Sequence, residues 1–222
     1  TSSADGNSIS TYTIKMVAID ANHTECRDSS TINIDIYPQV IAAFDTENAT
    51  GCSPLTTTFT NNSKGYGLTY LWDYAHDNVQ SATTDNRHTH TFDNLEAATH
   101  TYNVTLTATD VNNCQSTATK PVNAHPHVVA NFAFVKDEVC TPYPVTFSYP
   151  AAINGNKFEW DFGYGGHTAT KTDKSDFKFT FDNTELETIN HYTIKMKASD
   201  TQTGCADSTA QVIEVYPRLR PK

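Results

Sequence analysis

The chain repeats itself about every 90 residues. Tyr12, Tyr102 and Tyr192 each open a run in which apolar and polar residues alternate, and each run ends in an Asp that a Cys follows. The Trp-Asp pair at Trp72 likewise recurs at Trp160. Recurrence at a fixed period is typical of tandem arrays, in which each repeat is one folded unit. Repetition favours reach and spacing over a single active cleft.

The 222 residues divide into parts of unequal completeness. We predict the C-terminal part of a repeat at 1–38, complete repeats at 39–126 and 127–217, and the start of a following segment at 218–222. Each complete repeat has the size of a domain with one modest core. Because an apolar run follows each closing Pro almost at once, we expect a semi-rigid rod. Two strands alone are marginal in water, so the partial repeat should need a neighbour.

Strict alternation of apolar and polar residues runs through Tyr102–Thr109 and Tyr192–Ser199. Such runs are typical of strands with one face in a core and one in water, in antiparallel sheets. Several short strands per repeat, a central Trp and a Tyr opening the penultimate strand indicate an immunoglobulin-like sandwich. We therefore predict an all-β fold of tandem sandwiches, about seven strands each. Trp72 and Trp160 should fill the cores, and Tyr102 and Tyr192 should form tyrosine corners.

Four of the five cysteines fall at two equivalent places in the complete repeats. Cys52 and Cys140 lie near the start, and Cys114 and Cys205 lie in the turn after the long strand. One bridge per repeat, Cys52 to Cys114 and Cys140 to Cys205, is the economical pairing, and Cys26 should pair with an upstream cysteine. These bridges would clamp one end of each sandwich and imply an oxidising compartment. Reduced thiols in a cytosolic protein are the alternative. Zinc is disfavoured because no Cys-x-x-Cys pair occurs.

The charge balance argues against two classes of partner. With 25 acidic and 15 basic residues, the chain lacks the positive charge that supplies most nucleic-acid affinity. No apolar run is long enough to insert into a membrane, and no signal peptide is recognisable at Thr1. If the protein is exported, we expect the signal to lie outside this sequence.

The motif Trp160–Gly163, with Tyr192 downstream and Pro217 at the closing edge, resembles a PKD domain, the immunoglobulin-like module of polycystins and many microbial surface proteins. The Cys52 entry with its turn cysteine Cys114 resembles the PKD repeats of very large Bacteroidota adhesins, including the gliding-motility adhesins exported by type IX secretion. The resemblance implies an extracellular, cell-surface location. It implies a structural or adhesive spacer in a long filament, whose partners are neighbouring repeats and an extracellular surface or polysaccharide.

Some PKD modules bind calcium through oxygen ligands in this turn and the preceding loop. The corresponding residues here are Asn61, Asn62, Asp73 and Asp77. Six to eight oxygens make a calcium site, and these side chains equally suit turn caps. We therefore expect no cofactor, with calcium as the open alternative.

His88 and His90 lie on one face of a strand, where two imidazoles can chelate a transition metal. The aligned positions in the next repeat are Phe177 and Phe179. We therefore expect two half-buried rim aromatics instead of a metal site.

No catalytic motif occurs: the chain has no nucleophile elbow, no His-Glu-x-x-His and no Walker loop. Asp73 and Asp161 recur at one fold position, which is typical of turn caps. We expect no catalytic residue and no enzyme. An alternative is an accessory spacer or carbohydrate-presenting module of a secreted hydrolase, with candidate stacking residues Tyr66, Tyr70, Tyr74 and Tyr164. A third class, a eukaryotic receptor ectodomain, would carry glycans at Asn22, Asn48, Asn61 and Asn103.

Overall fold

The computed structural model describes residues 6–75, 80–82, 85–136, 141–150 and 155–218. The regular structure of these residues is β-strand throughout, without a helix. The strands of the partial repeat and of the first complete repeat are β1 (Ser10–Ile19), β2 (Arg27–Ile36), β3 (Phe44–Glu47), β4 (Thr50–Cys52), β5 (Leu55–Asn61), β6 (Thr69–Asp73), β7 (Gln80–Ser81), β8 (Arg87–Phe92), β9 (His100–Thr109) and β10 (Gln115–His125). Those of the second complete repeat are β11 (Ala133–Lys136), β12 (Tyr143–Ser148), β13 (Lys157–Asp161), β14 (Thr168–Lys171), β15 (Phe177–Phe181), β16 (Asn190–Ser199) and β17 (Ala206–Val215).

Each complete repeat forms two sheets. In the first, the strand orders are β3-β5-β8 and β4-β10-β9-β6-β7; in the second, they are β11-β12-β15 and β14-β13-β16-β17. Strand β4 runs parallel to the end of β10, while the long neighbours β16 and β17 pair antiparallel over ten residues. The predicted fold class, all-β with tandem antiparallel sandwiches, is confirmed.

Alternation along the long strands explains how the sheets bury one face. In β16 the buried side chains of Ile194, Met196 and Ala198 alternate with exposed residues. In β9 the buried positions begin at Tyr102 and follow the same period. Because successive side chains of a strand point to opposite faces, this pattern places one face in the core and leaves the other to solvent.

The two predicted core tryptophans are buried among aromatic rings. Trp160 is 2% exposed and meets Phe132 edge to face at a centroid distance of 5.0 Å. Trp72 is fully buried and meets Phe44 in the same way, also at 5.0 Å. Edge-to-face packing matches the negative face of one ring with the positive edge of the other, which adds to the free energy of burial.

The partial repeat forms the two-stranded hairpin β1-β2. Its apolar side chains are exposed, among them Ile14 at 51%, Met16 at 67% and Ile32 at 64%. Ile14 lies opposite Ile32 in the register, so the hairpin presents apolar side chains from both strands to solvent. That this hairpin needs a neighbouring chain stays a prediction.

The chain divides into two compact units. The first comprises Thr1–Ala49, Thr56–Thr91 and Thr101–Val122, and the second comprises Thr50–Leu55, Phe92–His100 and Asn123–Lys222. The repeat boundaries at 38, 126 and 217 stay a prediction from the sequence.

Candidate functional site

A disulfide joins Cys52 and Cys205, which are 153 residues apart in the sequence and 5.5 Å apart between Cα atoms. Both cysteines belong to the second compact unit. Cys205 is 1% exposed, whereas Cys26 and Cys114 are free and exposed. The covalent link therefore lies within one compact unit and connects a cysteine of the predicted repeat 39–126 with one of the predicted repeat 127–217.

This pairing corrects the one bridge per repeat that the sequence suggested. Cys114 directly precedes β10, whereas Cys52 pairs with His125 at the other end of the same strand. At about 3.3 Å per residue, the two cysteines lie about 35 Å apart, far beyond the roughly 4.4–6.8 Å that a disulfide allows between Cα atoms. A bond between Cys205 and Cys140 is excluded because Cys205 is bonded to Cys52; Cys140 itself lies outside the described residues.

The segment that carries Cys52, here called the entry segment (Thr50–Leu55), is held by a polar clasp. The Ser53 hydroxyl donates to the Asp93 carboxylate at 2.7 Å and accepts from the Asn94 N–H at 2.6 Å. Asn94 is 2% exposed, and its side-chain Nδ2 donates to the carbonyls of Ala98 and Ala124, each at 2.8 Å. Asn94 therefore ties the entry segment, through its backbone N–H, to the end of β10, through its side-chain amide.

The second complete repeat has the same clasp. The Thr141 hydroxyl donates to the Asp182 carboxylate at 2.5 Å and accepts from the Asn183 N–H at 2.8 Å. Asn183 is fully buried and donates to the carbonyls of Thr188 and Val215, each at 2.8 Å. Buried polar groups are costly unless they are hydrogen-bonded. Two fully hydrogen-bonded side-chain amides at the equivalent position of both repeats therefore favour a structural role for the clasp.

The clasp was not predicted from the sequence, although the residues that form it recur in both complete repeats. The triplet Phe92–Asn94 recurs as Phe181–Asn183 at the end of the same strand. No role was assigned to the repeated Asp-Asn pair from the sequence, because each Asn side chain bonds backbone carbonyls, one of them about 30 residues away, and no side-chain pattern marks such partners.

Cys205, the second cysteine of the disulfide, lies at the end of a turn. The hydrogen bond that closes this turn recurs in all three repeats. The Asp200 N–H donates to the Cys205 carbonyl at 2.8 Å, as Asp110 does to Cys114 at 3.0 Å, and the contact recurs from Asp20 to Cys26 at 3.0 Å. The Asp carboxylates also accept backbone N–H groups within the turn. Hydrogen bonds to the ionised form hold the pKa of Asp200 and of Asp20 below the ordinary value.

The two predicted corner tyrosines occupy the expected strand. The Tyr192 hydroxyl lies 3.5 Å from the backbone carbonyl of Asp182, ten residues upstream, and accepts from the Asn190 side chain at 3.1 Å. Tyr102 is 6% exposed. Tyr192 therefore links its strand to the clasp residue Asp182.

His88 and His90 take the places of two phenylalanines in an aromatic cluster. His90 stacks on Tyr74 at 3.9 Å, and Phe179 stacks on Phe162 at the same distance. His88 packs on Phe59 at 5.6 Å with an interplanar angle of 21°, which matches the stacking of Phe177 on Phe147 at 5.4 Å and 21°. Burial lowers the pKa of His88, against the opposing charge of Asp85. In the part of the chain that the structure describes, no three His, Cys, Asp or Glu side chains group as metal ligands.

Three of the four residues weighed for calcium are engaged in hydrogen bonds to other protein groups. Asn61 and Asp73 accept the N–H groups of Ser63 and Ala75 at 3.0 and 2.9 Å, and the Asn62 side chain donates to Asp45 at 2.8 Å. The fourth, Asp77, lies outside the described residues. Asp161 accepts from Gly163 at 2.9 Å, as Asp73 does from Ala75. The carboxylate beside each core Trp is therefore a turn cap.

The four tyrosines considered for carbohydrate stacking do not share an environment. Tyr74 is 3% exposed, and burial raises its pKa to about 12. Tyr164 packs against Tyr192 at 5.1 Å and Tyr66 against Tyr37 at 6.0 Å, while Tyr70 is half-buried in β6. Within the described ranges, no helix has the length and apolarity needed to cross a membrane.

Comparison with known proteins yields fold likenesses only. No protein-family model matches the chain, and no curated protein matches its sequence. A structure of protocadherin gamma B2 extracellular cadherin domains 1–5 covers 93% of this chain at 14% identity, with a TM-score of 0.26. Protocadherin gamma B7 extracellular cadherin domains 1–4 cover 94% at 9% identity, with a TM-score of 0.24. The chain spans 45% and 66% of the lengths of those two chains. Likenesses at this level carry no argument about function.

Proposed function

We propose that this chain is part of an extracellular, adhesion-type array of β-sandwich repeats that acts as a disulfide-linked structural spacer. The Cys52–Cys205 bond is the observation that carries the proposal. Disulfides form and persist in oxidising environments outside the cytoplasm, and they are rare where thiols are kept reduced. A bond between an exposed cysteine of one predicted repeat and a buried cysteine of the next suits a protein whose repeats must stay together.

The bond limits how far the chain can be extended. It closes a loop of 153 residues, and polypeptide inside a closed loop cannot lengthen under tension applied to the ends. The carboxylates of Asp73 and Asp161 serve as turn caps, which supports a role without catalysis. Repetition then sets reach, and several weak contacts on one array bind with higher avidity than one contact alone.

At finer detail, we propose a bacterial cell-surface filament of the gliding-motility adhesin type, exported by type IX secretion. The PKD-like residues around Trp160 and Cys52 support this step. Its partners would be neighbouring repeats of the same chain and an extracellular surface or polysaccharide. The net charge of −10 disfavours nucleic acid.

Single-molecule stretching tests the spacer role. The chain is held by its two ends and pulled with the bond intact, and then after reduction. Reduction should release the 153-residue loop and add about 500–550 Å of contour length, at about 3.3–3.6 Å per residue. The Cys52→Ser variant should show the longer contour without reductant, and Cys114→Ser should behave as the unaltered chain. Equal contour lengths before and after reduction would contradict the proposal.

Location is tested on the cells that make the protein. An antibody against this chain should label intact cells, and non-reducing peptide mapping of the surface protein should recover the Cys52–Cys205 peptide pair. Labelling that appears only after the cells are permeabilised would overturn the extracellular proposal. Loss of surface labelling in type IX secretion mutants would support the finer proposal, and unchanged labelling would contradict it.

A further inference from the structure

We infer that the turn cysteine of each repeat receives the entry segment of the repeat that precedes it, so that Cys114 bonds the entry cysteine of a preceding copy as Cys205 bonds Cys52. The array would then be linked by a continuous series of bonds between successive repeats. This pairing rule goes beyond the proposed spacer function. It rests on that function only through the Cys52–Cys205 bond.

The turn that carries Cys114 is closed by the same backbone hydrogen bond as the turn that carries Cys205. In each turn the N–H of an Asp donates to the cysteine carbonyl, at 3.0 Å from Asp110 and at 2.8 Å from Asp200. Each cysteine directly precedes the final long strand of its repeat, β10 or β17. The turn at Cys205 is one residue longer than the turn at Cys114, but the two cysteines share the closing contact and the same place in the fold.

The equivalent cysteines differ in what covers them. Cys205 is 1% exposed and is bonded to the entry segment, whereas Cys114 is exposed and free. Cys26, at the third equivalent turn, is also exposed and free. The turn itself thus leaves its cysteine open, and an entry segment is what closes it.

The partner of Cys114 is not the entry segment of its own repeat. The clasp of Ser53 and Asn94 holds that segment beside the last residues of β10, about 35 Å from Cys114 at the first end of the strand. The same clasp exists at Thr141 and Asn183 in the next repeat, so both complete repeats hold the residue that follows the entry cysteine in the same way. The predicted repeat 39–126 therefore carries a turn cysteine at one end of its final strand and an entry cysteine at the other end. Such a head-to-tail contact propagates along an open array.

Bond formation needs an electron acceptor. The two cysteine thiols lose two protons and two electrons as the S–S bond forms, and a disulfide acceptor is reduced to two thiols. Oxidised glutathione is sufficient for a refolding experiment, and an exported disulfide oxidoreductase would serve in the cell. Exposure of Cys114 allows such an acceptor to reach it.

The experiment lengthens the chain by one repeat, so that residues 39–126 occur twice in tandem before 127–222. Cys26 and the Cys114 of the first copy are changed to Ser, which leaves one turn cysteine in the second copy. The chain is refolded with oxidised and reduced glutathione, alkylated without reduction, digested and mapped. We expect two peptide pairs, Cys52 with Cys114 and Cys52 with Cys205, and loss of alkylation at Cys114.

A matched chain carries Cys52→Ser in the first copy as well. It should lose the Cys52–Cys114 pair, keep the Cys52–Cys205 pair and regain alkylation at Cys114. A Cys52–Cys114 pair that survives in this control would place the bond within one repeat and overturn the rule. A first chain that forms Cys52–Cys205 while Cys114 stays fully alkylated, or carries only glutathione, would also overturn the rule and leave the spacer proposal intact. Failure of the Cys52–Cys205 bond in the unaltered chain would instead overturn the proposed function.

Discussion

The imidazole of His88 meets the indole of Trp72 edge to face, with ring centroids 4.7 Å apart. Phe177 meets Trp160 in the same way at 5.2 Å. Neither ring nitrogen of His88 has a hydrogen-bond partner among the described residues, so the neutral imidazole serves as an aromatic ring. A titratable group therefore occupies a position where the next repeat has a hydrocarbon ring.

This substitution predicts acid sensitivity. Burial lowers the pKa of His88 in the folded chain, while an unfolded histidine has a pKa of about 6.5. The unfolded state therefore binds the proton first, and the stability associated with neutral His88 is fully present above pH about 6.5 and is lost as the pH falls from that value through the lower pKa of the folded chain. His88→Phe should reduce the loss of stability between pH 7.5 and pH 5.5, measured by urea unfolding. Phe177→His should introduce a similar loss. Identical pH profiles for the unaltered chain and His88→Phe would disprove the prediction.

Removing the disulfide should lower the free energy of unfolding, because the unfolded chain gains conformational freedom. Cys52→Ser frees the 153-residue loop in the unfolded state, and loss of such a bond typically costs about 2–4 kcal/mol. Urea unfolding measures this cost, and Cys114→Ser, at a free exposed position, should stay within about 0.5 kcal/mol of the unaltered chain. Thiol titration of the denatured, unreduced chain gives an independent check. The observed pairing leaves three thiols among the five cysteines, whereas one bridge per repeat would leave one.

The buried clasp amides should matter more than exposed ones. Asn94→Ala leaves the carbonyls of Ala98 and Ala124 without this donor, and an unsatisfied buried group costs about 1–3 kcal/mol. Asn183→Ala should have a comparable effect for the same reason. Asn112→Ala, at an exposed turn position, is the control and should stay within about 0.5 kcal/mol. Equal unfolding midpoints for Asn94→Ala and Asn112→Ala would show that the clasp does not stabilise the fold.

Two aligned positions in the turns that follow the core tryptophans should respond to substitution with opposite changes in stability. Gly163 has φ of 62°, and a Cβ there would lie 2.5 Å from the Thr193 carbonyl oxygen. Gly163→Ala should therefore cost more than Gly166→Ala, where φ is 74° but no atom lies within 4 Å. Ala75, at the position aligned with Gly163, has φ of 51°, so Ala75→Gly should stabilise by about 1 kcal/mol. Thermal unfolding of the four chains measures the order, and a stabilising Gly163→Ala would contradict it.

Local patterns explain why much of the fold was predictable. The alternation in Tyr192–Ser199 needs only the two-residue period of a strand, and the burial of Trp72 and Trp160 follows from their size and from their place within the central strands β6 and β13. The equivalence of His88 with Phe177 was also readable by aligning the repeats, and the ring geometry agrees with it. The role of Asn94 was not readable, because its side-chain partners are backbone carbonyls that any residue carries.

The amino-acid sequence by itself determined the repeat, the β-sandwich class and the set of positions where cysteines occur, since each follows from periodicity or from local side-chain chemistry. Only the tertiary structure decided which cysteines bond. The parallel pairing of β4 with the end of β10 carries Cys52 away from Cys114, and a disulfide forms only between cysteines that long-range packing brings within a few ångströms, as it does Cys52 and Cys205.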